Sequence, residues 1–260
     1  MSNVQYDFSG KTVLVTGASR GIGYGIATGF AKAGAEVTLL AENPEVHDAA
    51  TSLRTSTGRS VGSIQCDITD VEAVRAAIDT FDHIDVTINN AGLERITPIL
   101  DEGEDVEATF RRIVDINMMG TFYVTRYAAQ KMPPGSAMIY TCSIWSRTAV
   151  AEFSAYCSTK HANLGFMRSM AQELAPKGIR VNGVCPGWVR TEASMLSLKN
   201  MSIRTGRPEQ ELLDEIMGAQ IIDGLMEPED MAPTYMFLAS DASANIVGQA
   251  LMVDRGEVLA

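Results

Sequence analysis

Short runs rich in β-branched residues recur along this chain, and the gaps between them are long enough to hold a helix. The runs are Thr12–Thr16, Glu36–Ala41, Val61–Cys66, Ile84–Asn89, Ala137–Cys142, Ile179–Val184 and Gln249–Val253. Helical spacing fills Gly21–Ala33, a segment starting near Pro44, and one capped by Asp70 that runs to about Ile78. A long helix is expected from Asp105 to Lys131, ending before Pro133-Pro134-Gly135. Ala155–Ala175 and Pro228–Ser240 complete the set. Strands separated by helices pair in parallel through right-handed crossovers, which covers both faces of the sheet. The expectation is therefore α/β: a single doubly wound domain over residues 1–260 with a parallel sheet of about seven strands, without linker or repeat.

One segment, 191–224, breaks the alternation. It is helical in propensity and carries Met195, Leu196, Leu198, Met201 and Met217. An insertion after the sixth strand falls at the carboxyl edge of the sheet, where such folds bind ligands. It reads as a helical substrate lid. The competing reading is a helical pair packed on the core or on another subunit, since methionine-rich surfaces serve either purpose.

Composition narrows the function classes. A net charge of −11 with 21 scattered Lys and Arg argues against a nucleic-acid partner. No stretch approaches the roughly 18 uninterrupted apolar residues of a membrane helix, and Met1–Lys11 lacks the pattern of a secretory leader. Cys66, Cys142, Cys157 and Cys185 are widely spaced and the three histidines are unpaired, so no metal site is expected. These features predict a soluble cytoplasmic protein.

The first strand leads into Thr16-Gly17-Ala18-Ser19-Arg20-Gly21-Ile22-Gly23 and then into a helix. Glycine suits a sharp turn out of a strand and any point where a side chain would hold a pyrophosphate away from the helix amides. Gly17, Gly21 and Gly23 meet those needs, in the strand–turn–helix context that gives such a motif its meaning.

Further motifs follow in order: Asn89-Asn90-Ala91-Gly92 after the fourth strand, Asn117 in an N-x-x-G setting, and Ser143 after the fifth strand. Tyr156-Cys157-Ser158-Thr159-Lys160 and Pro186-Gly187 come next. With the G-x-x-x-G-x-G turn, these six motifs make the chain resemble the short-chain dehydrogenase/reductase family over nearly its whole length. That resemblance implies a Rossmann fold and NAD(P)-dependent interconversion of a secondary alcohol and a ketone by hydride transfer.

Tyr156 and Lys160 stand at i, i+4 on one helix face, so the ammonium can reach the surroundings of the phenol. A free tyrosine pKa near 10 is too high for proton exchange at neutral pH; a nearby Lys⁺ and an oxidised, positively charged nicotinamide are both expected to favour the phenolate and lower it. The resemblance implies Tyr156 as general acid/base, with Lys160 also on the nicotinamide ribose. It implies Ser143 on the substrate oxygen and Asn117 as the anchor of a proton-relay water. It places the cofactor on Gly17, Ser19, Arg20, Gly21, Ile22 and Gly23, on Asn90, Ala91 and Gly92, and on Pro186, Gly187, Val189 and Thr191. Asp67 either touches the adenine ring or merely caps the turn Asp67–Asp70.

The usual NAD-selecting aspartate of the family would fall at Ala41, and Glu42 follows it. A carboxylate there repels a 2′-phosphate and can itself reach a ribose hydroxyl, whereas Arg20 in the glycine loop favours NADP. Glu42 has no basic neighbour at Asn43 or Pro44, so the balance favours NAD.

Substrate contacts are expected from Glu94, Ser143, Trp145, Phe153, Tyr156 and Trp188. Asn89–Glu94 is similar to glucose dehydrogenases of the family, which points first to a sugar or polyol. Trp145 and Trp188 suit a sugar face but also a cyclic or aromatic alcohol. Phe153 replaces the lysine of hydroxybutyrate dehydrogenases and counts against a small hydroxy acid. Family members are commonly homotetramers. Two departures are the short segment Asp70–Ile84 and Asp254-Arg255-Gly256 where Asp-Gly-Gly is usual. A rival from another class is a non-catalytic nucleotide sensor, and a third reading is a cofactor-retaining epimerase or dehydratase.

Overall fold

The structure is a computed structural model that describes residues 4–100, 103 and 105–259; the ends of the expected domain, Met1–Asn3 and Ala260, lie outside the described residues. Seven strands form one parallel sheet in the order β3-β2-β1-β4-β5-β6-β7. They are β1 (Thr12–Thr16), β2 (Glu36–Ala41), β3 (Val61–Gln65), β4 (Val86–Asn89), β5 (Ala137–Thr141), β6 (Arg180–Pro186) and β7 (Ala250–Val253). The order reverses between β1 and β4, which opens a crevice beyond their carboxyl ends.

Each strand sends alternate side chains to opposite faces, and two cores result. Val13 and Val15 of β1 and Ile139 of β5 enter one core with Ile26 and Phe30 of α1 (Gly21–Lys32). Leu53 of α2 (Glu45–Thr57) and Leu238 of α9 (Ala232–Ala239) close that side. Leu14, Met138 and Tyr140 enter the other, with Val74 and Ile78 of α3 (Val71–Asp79) and Met167 of α6 (Ser154–Leu174). Asp70 caps α3 as its sequence position predicts, accepting from the amides of Glu72 and Ala73.

The long helix is one helical run with a defect in it. It consists of α4 (Asp105–Val114), a π-helical turn at Asp115–Gly120, and α5 (Thr121–Lys131). Hydrophobic periodicity does not report a change of hydrogen-bond register, and such turns gather at functional sites. The insertion folds as α7 (Glu192–Thr205) and α8 (Glu209–Gly218), and the last predicted helix begins as a 3₁₀ turn at Pro228–Met231 before α9.

The departure at Asp254-Arg255-Gly256 has a local cost. Arg255 adopts φ 56°, a left-handed conformation that glycine takes without penalty. Its carbonyl accepts from the amides of Ile221 and Ile222, and its guanidinium donates to the Asp223 carbonyl, which together hold the strained residue in place.

Helix α1 lies against the 3₁₀ turn and α9 through two glycines. A Cβ on Gly25 would overlap the Pro228 carbonyl group and stand 2.9 Å from the Glu229 nitrogen; one on Gly29 would meet the Ala232 Cβ. Neither partner is a flexible side-chain end. Gly25→Ala should therefore lower stability by about 1–3 kcal/mol despite the better helix propensity of alanine. A urea or thermal melt showing equal or greater stability would mean that this packing yields freely.

Candidate active site

The carboxyl ends of the strands surround an open cleft of about 460 Å³. Its floor at one end is the turn after β1. Gly17 (φ 63°) and Gly21 (φ 57°) take left-handed conformations there, and a Cβ on Gly17 would stand 2.7 Å from the Ala91 Cα. Arg20 precedes α1 without giving it a side-chain cap, so the first-turn amides remain available to an anion in the cleft. Gly23 has a different reason: a Cβ would strike the Gly17 carbonyl and come 2.5 Å from the Asn90 amide nitrogen, so it allows the helix to pack close to the turn. Ser19, Arg20 and Ile22 line the cleft beside them.

The turn is joined to β4 by a buried network. The Asn90 and Ala91 amides both donate to the Thr16 hydroxyl at 3.0 Å. Asn90 Nδ2 donates to the Thr16 and Gly17 carbonyls at 3.0 and 3.2 Å, while its Oδ1 accepts from the Thr141 hydroxyl at 3.1 Å. Asn90 thus reaches the cleft as its brace; Ala91 and Gly92 follow on the wall.

At the other end of the cleft Ser143, Tyr156 and Lys160 converge. The Ser143 hydroxyl accepts from the Trp145 amide at 3.1 Å, fixing a 3₁₀ turn over Ile144–Ser146. Lys160 is buried; its ammonium donates to the Thr141 carbonyl at 2.7 Å and lies 5.4 Å from the Tyr156 ring centroid. Asn117, in the π-helical turn, is fully buried behind the wall. Its side chain brackets Leu93, accepting from the amide at 2.7 Å and donating to the carbonyl at 3.0 Å, and donates to Thr159 Oγ1. Its own carbonyl accepts from Asn163 Nδ2 at 3.0 Å.

The electrostatics differ from the sequence expectation at Tyr156. Burial and the nearby Glu94 carboxylate raise the phenol well above its ordinary value, and the Ser143 side chain only partly opposes them. Lys160 alone does not bring it down, because burial also lowers the lysine, against the pull of the Cys142 and Cys185 thiols and Glu94.

The substrate-side residues divide. Trp145 lines the cleft and meets the Tyr156 ring edge-on, with centroids 5.8 Å apart. Trp188, Pro186, Gly187, Val189 and Thr191 line it after β6. Phe153 does not: it is buried behind Trp145, with centroids 5.1 Å apart, so its part is to support the indole. A bulky ring between α6 and the Trp145 turn fills core volume, which a lysine at this place would not. Arg147 donates to the Ala250 carbonyl and is a structural residue. The start of the insertion lines the cleft through Thr191, Glu192, Ser194 and Leu196, and Ser197 of α7 donates to the Glu94 carboxylate at 2.8 Å.

At the turn-facing end, both readings of Asp67 find support. Its Oδ1 accepts from the Thr69 amide and hydroxyl, closing a turn, and the residue also lines the cleft. Burial works against ionisation, but those bonds and the Arg112 guanidinium outweigh it and hold the carboxyl below its ordinary range. Arg112 was not foreseen. It stands 70 residues from Glu42 in the chain, yet donates to its carboxylate at 3.0 Å and to Asp67 at 3.2 Å. The basic neighbour that Asn43 and Pro44 do not supply therefore comes from α4. No local pattern marks Arg112; the only clue is that α4 must enter beside the β2 and β3 ends. Leu93 and Ile144, expected beside Glu94 and Trp145, and Leu196 of the insertion are further wall residues, and Ile116 is one that no motif marks. The four cysteines are buried free thiols, and no helix among the described residues is long and apolar enough to cross a membrane.

A family model described as enoyl-(acyl carrier protein) reductase matches residues 17–257. Oxidoreductase UcpA of Escherichia coli is 34% identical over 260 residues, covering 96% of this chain and 95% of that protein. The (S)-acetoin-forming diacetyl reductase of Staphylococcus epidermidis is 32% identical over 261 residues, covering 95% and 98%. L-sorbose reductase from Gluconobacter frateurii, solved with NADPH and L-sorbose, has a TM-score of 0.89 at 28% identity, covering 99% of this chain and all of that one (100%).

Burial raises the Glu94 carboxyl above its ordinary value near 4.5, although Ser197, Arg95 and Lys160 act against the shift. The folded chain then holds this proton after the unfolded chain has released it, so stability falls as pH rises from about 4.5 through the raised value. Glu94→Gln keeps a partner for Ser197 and removes the titration. Its stability relative to the parent, from urea melts between pH 4 and 8, should rise with pH. A constant difference would mean that Glu94 titrates normally.

Proposed function

The chain belongs to the short-chain dehydrogenase/reductase family of oxidoreductases, and on that premise we propose that it interconverts a secondary alcohol and a ketone with NAD(P), Tyr156 acting as general acid/base. The observation that carries this reading is the convergence of Ser143, Tyr156 and Lys160 on one end of a cleft whose other end is a glycine turn with open helix amides. A dinucleotide fits such a cleft, with its pyrophosphate on the turn and its nicotinamide near Tyr156.

The chain's own groups act as follows. Ser143 holds the substrate oxygen, and Tyr156 Oη takes the hydroxyl proton during oxidation or returns it during reduction. When bound, the oxidised nicotinamide supplies the hydride acceptor and a positive charge beside the phenol. That charge favours the phenolate, the direction in which the half-buried tyrosine requires help. Lys160, fixed by Thr141, turns its ammonium to the ribose and to the same phenol. Asn117 presents a carbonyl with one lone pair taken by Asn163 and a second for a relay water. The protein's contribution is thus orientation and pKa tuning.

The substrate reading is a sugar or polyol. Glu94 supports it as a half-buried acceptor in the cleft wall, close enough for its charge to be felt at Tyr156. The relative solved with L-sorbose acts on a molecule of this class. Trp145, Trp188 and Leu196 favour a second reading, a cyclic or aromatic alcohol, because they give the wall an apolar side. NAD is the preferred cofactor on the strength of Glu42, although the sorbose reductase carries NADPH. We take the assembly to be a homotetramer in the cytoplasm; the half-exposed Phe110, Met119 and Phe122 along α4 to α5 provide an apolar face for it.

Absorbance of reduced nicotinamide, followed with NAD and NADP against sugars, polyols and cyclic alcohols, tests the reading. Turnover with a polyol is expected. Tyr156→Phe should reduce it by about 10²–10⁴-fold while nucleotide binding by fluorescence persists. A variant that turns over like the parent would remove Tyr156 from the chemistry, and binding without turnover of any alcohol would favour a nucleotide sensor.

A further inference from the structure

We infer that Arg112 decides how well the cleft accepts a 2′-phosphate, by exchanging its Glu42 partner for that phosphate. This rests on the reading of the cleft as a dinucleotide site. Arg112 is the only group that ties the two acidic wall residues together among the described residues: its Nη2 reaches Glu42 at 3.0 Å and Asp67 at 3.2 Å, and its Nη1 donates to Thr69 Oγ1 at 3.2 Å. Glu42 and Asp67 both line the cleft at the end where the carboxyl edges of β2 and β3 meet it.

The three contacts differ in how easily they give way. Asp67 is fixed by the Thr69 amide at 2.9 Å and hydroxyl at 2.8 Å as well as by Arg112. The Glu42 carboxylate has Arg112 as its ion-pair partner, and its side chain is 61% exposed, so it can swing into solvent without breaking anything else. The guanidinium stays on Asp67 and Thr69 and presents its remaining N–H groups to whatever anion replaces Glu42. A phosphate dianion is a stronger partner for a planar fork of donors than one carboxylate is.

The same geometry explains selection for NAD. With Arg112 on one carboxylate oxygen, Glu42 keeps the other for a ribose hydroxyl. Counting Glu42, Asp67 and Arg112 together, this corner carries one net negative charge, which opposes a phosphate until Glu42 moves. Arg20 is the other cation nearby, but it pairs with Glu192 at 3.6 Å on the lid side. The corner is therefore built for NAD first, with NADP admitted through Arg112.

Calorimetry with NAD, NADP and 2′,5′-ADP on the full chain tests this without turnover. Glu42→Gln should tighten NADP and 2′,5′-ADP on the order of tenfold and leave NAD equal or weaker. Arg112→Gln should weaken both phosphorylated ligands by a similar factor, and in the double variant the Glu42→Gln gain should shrink to the smaller part that relief of charge repulsion alone supplies. Arg112→Lys keeps the charge but not the fork, and should recover only part of the affinity; circular dichroism confirms that each variant folds. A gain from Glu42→Gln that survives undiminished without Arg112 would overturn the exchange and assign the phosphate to Arg20. No change in phosphate affinity in any variant would overturn it equally. Failure of all three ligands to bind the parent chain would instead remove the dinucleotide reading, and this inference with it.

Discussion

The bonds around Thr16, Asn90 and Thr141 hold the ends of three strands together at the point where the sheet order reverses. A parallel sheet alone leaves its carboxyl edge as a row of loop starts with no fixed mutual distance. Here one amide side chain spans β1, β4 and β5, and Thr141 passes the connection to the Tyr235 hydroxyl on α9 at 2.8 Å. A buried polar network of this kind is costly if any member is missing, so it selects one arrangement of the loops. The glycine turn, the wall after Asn90 and the carbonyl that seats Lys160 all take their positions from it.

Much of this was legible in the sequence because the governing signals are local. Strand and helix alternation follows from side-chain periodicity, and the sharp turn after β1 follows from glycine spacing. The Tyr156–Lys160 pairing follows from helix geometry. What escaped is non-local. Arg112 meets Glu42 only because α4 passes the ends of β2 and β3, and Phe153 supports Trp145 only because the start of α6 folds back on the 3₁₀ turn. Glycine spacing alone does not separate the roles of Gly17, Gly21 and Gly23, and at Gly23 the missing Cβ makes room for Gly17 and Asn90. Neighbours in space that are distant in sequence leave no trace in a short window.

The charges at the reacting end show the same dependence on three-dimensional context. On a bare helix, a lysine one turn from a tyrosine lowers its pKa. In the folded chain Lys160 is buried and Tyr156 half-buried, so each loses solvation that the other does not replace, and Glu94 adds a like charge to the phenolate. The resting site consequently holds its proton on Tyr156. A further positive charge beside the ring would act against both causes of the shift.

The π-helical turn joins the two ends of the cleft into one mechanical element. Ile113, Asn117 and Thr121 are all buried and recur every fourth residue, a spacing that drifts off one face of a regular α-helix. Hydrogen bonds to the fifth residue put more than four residues into a turn and cancel that drift. Asn117 can then face Leu93 and Thr159 while Arg112, one turn earlier, still points at Glu42 and Asp67. One helical run thus supplies Arg112 to the Glu42–Asp67 corner and Asn117 to the wall behind Leu93 and Thr159.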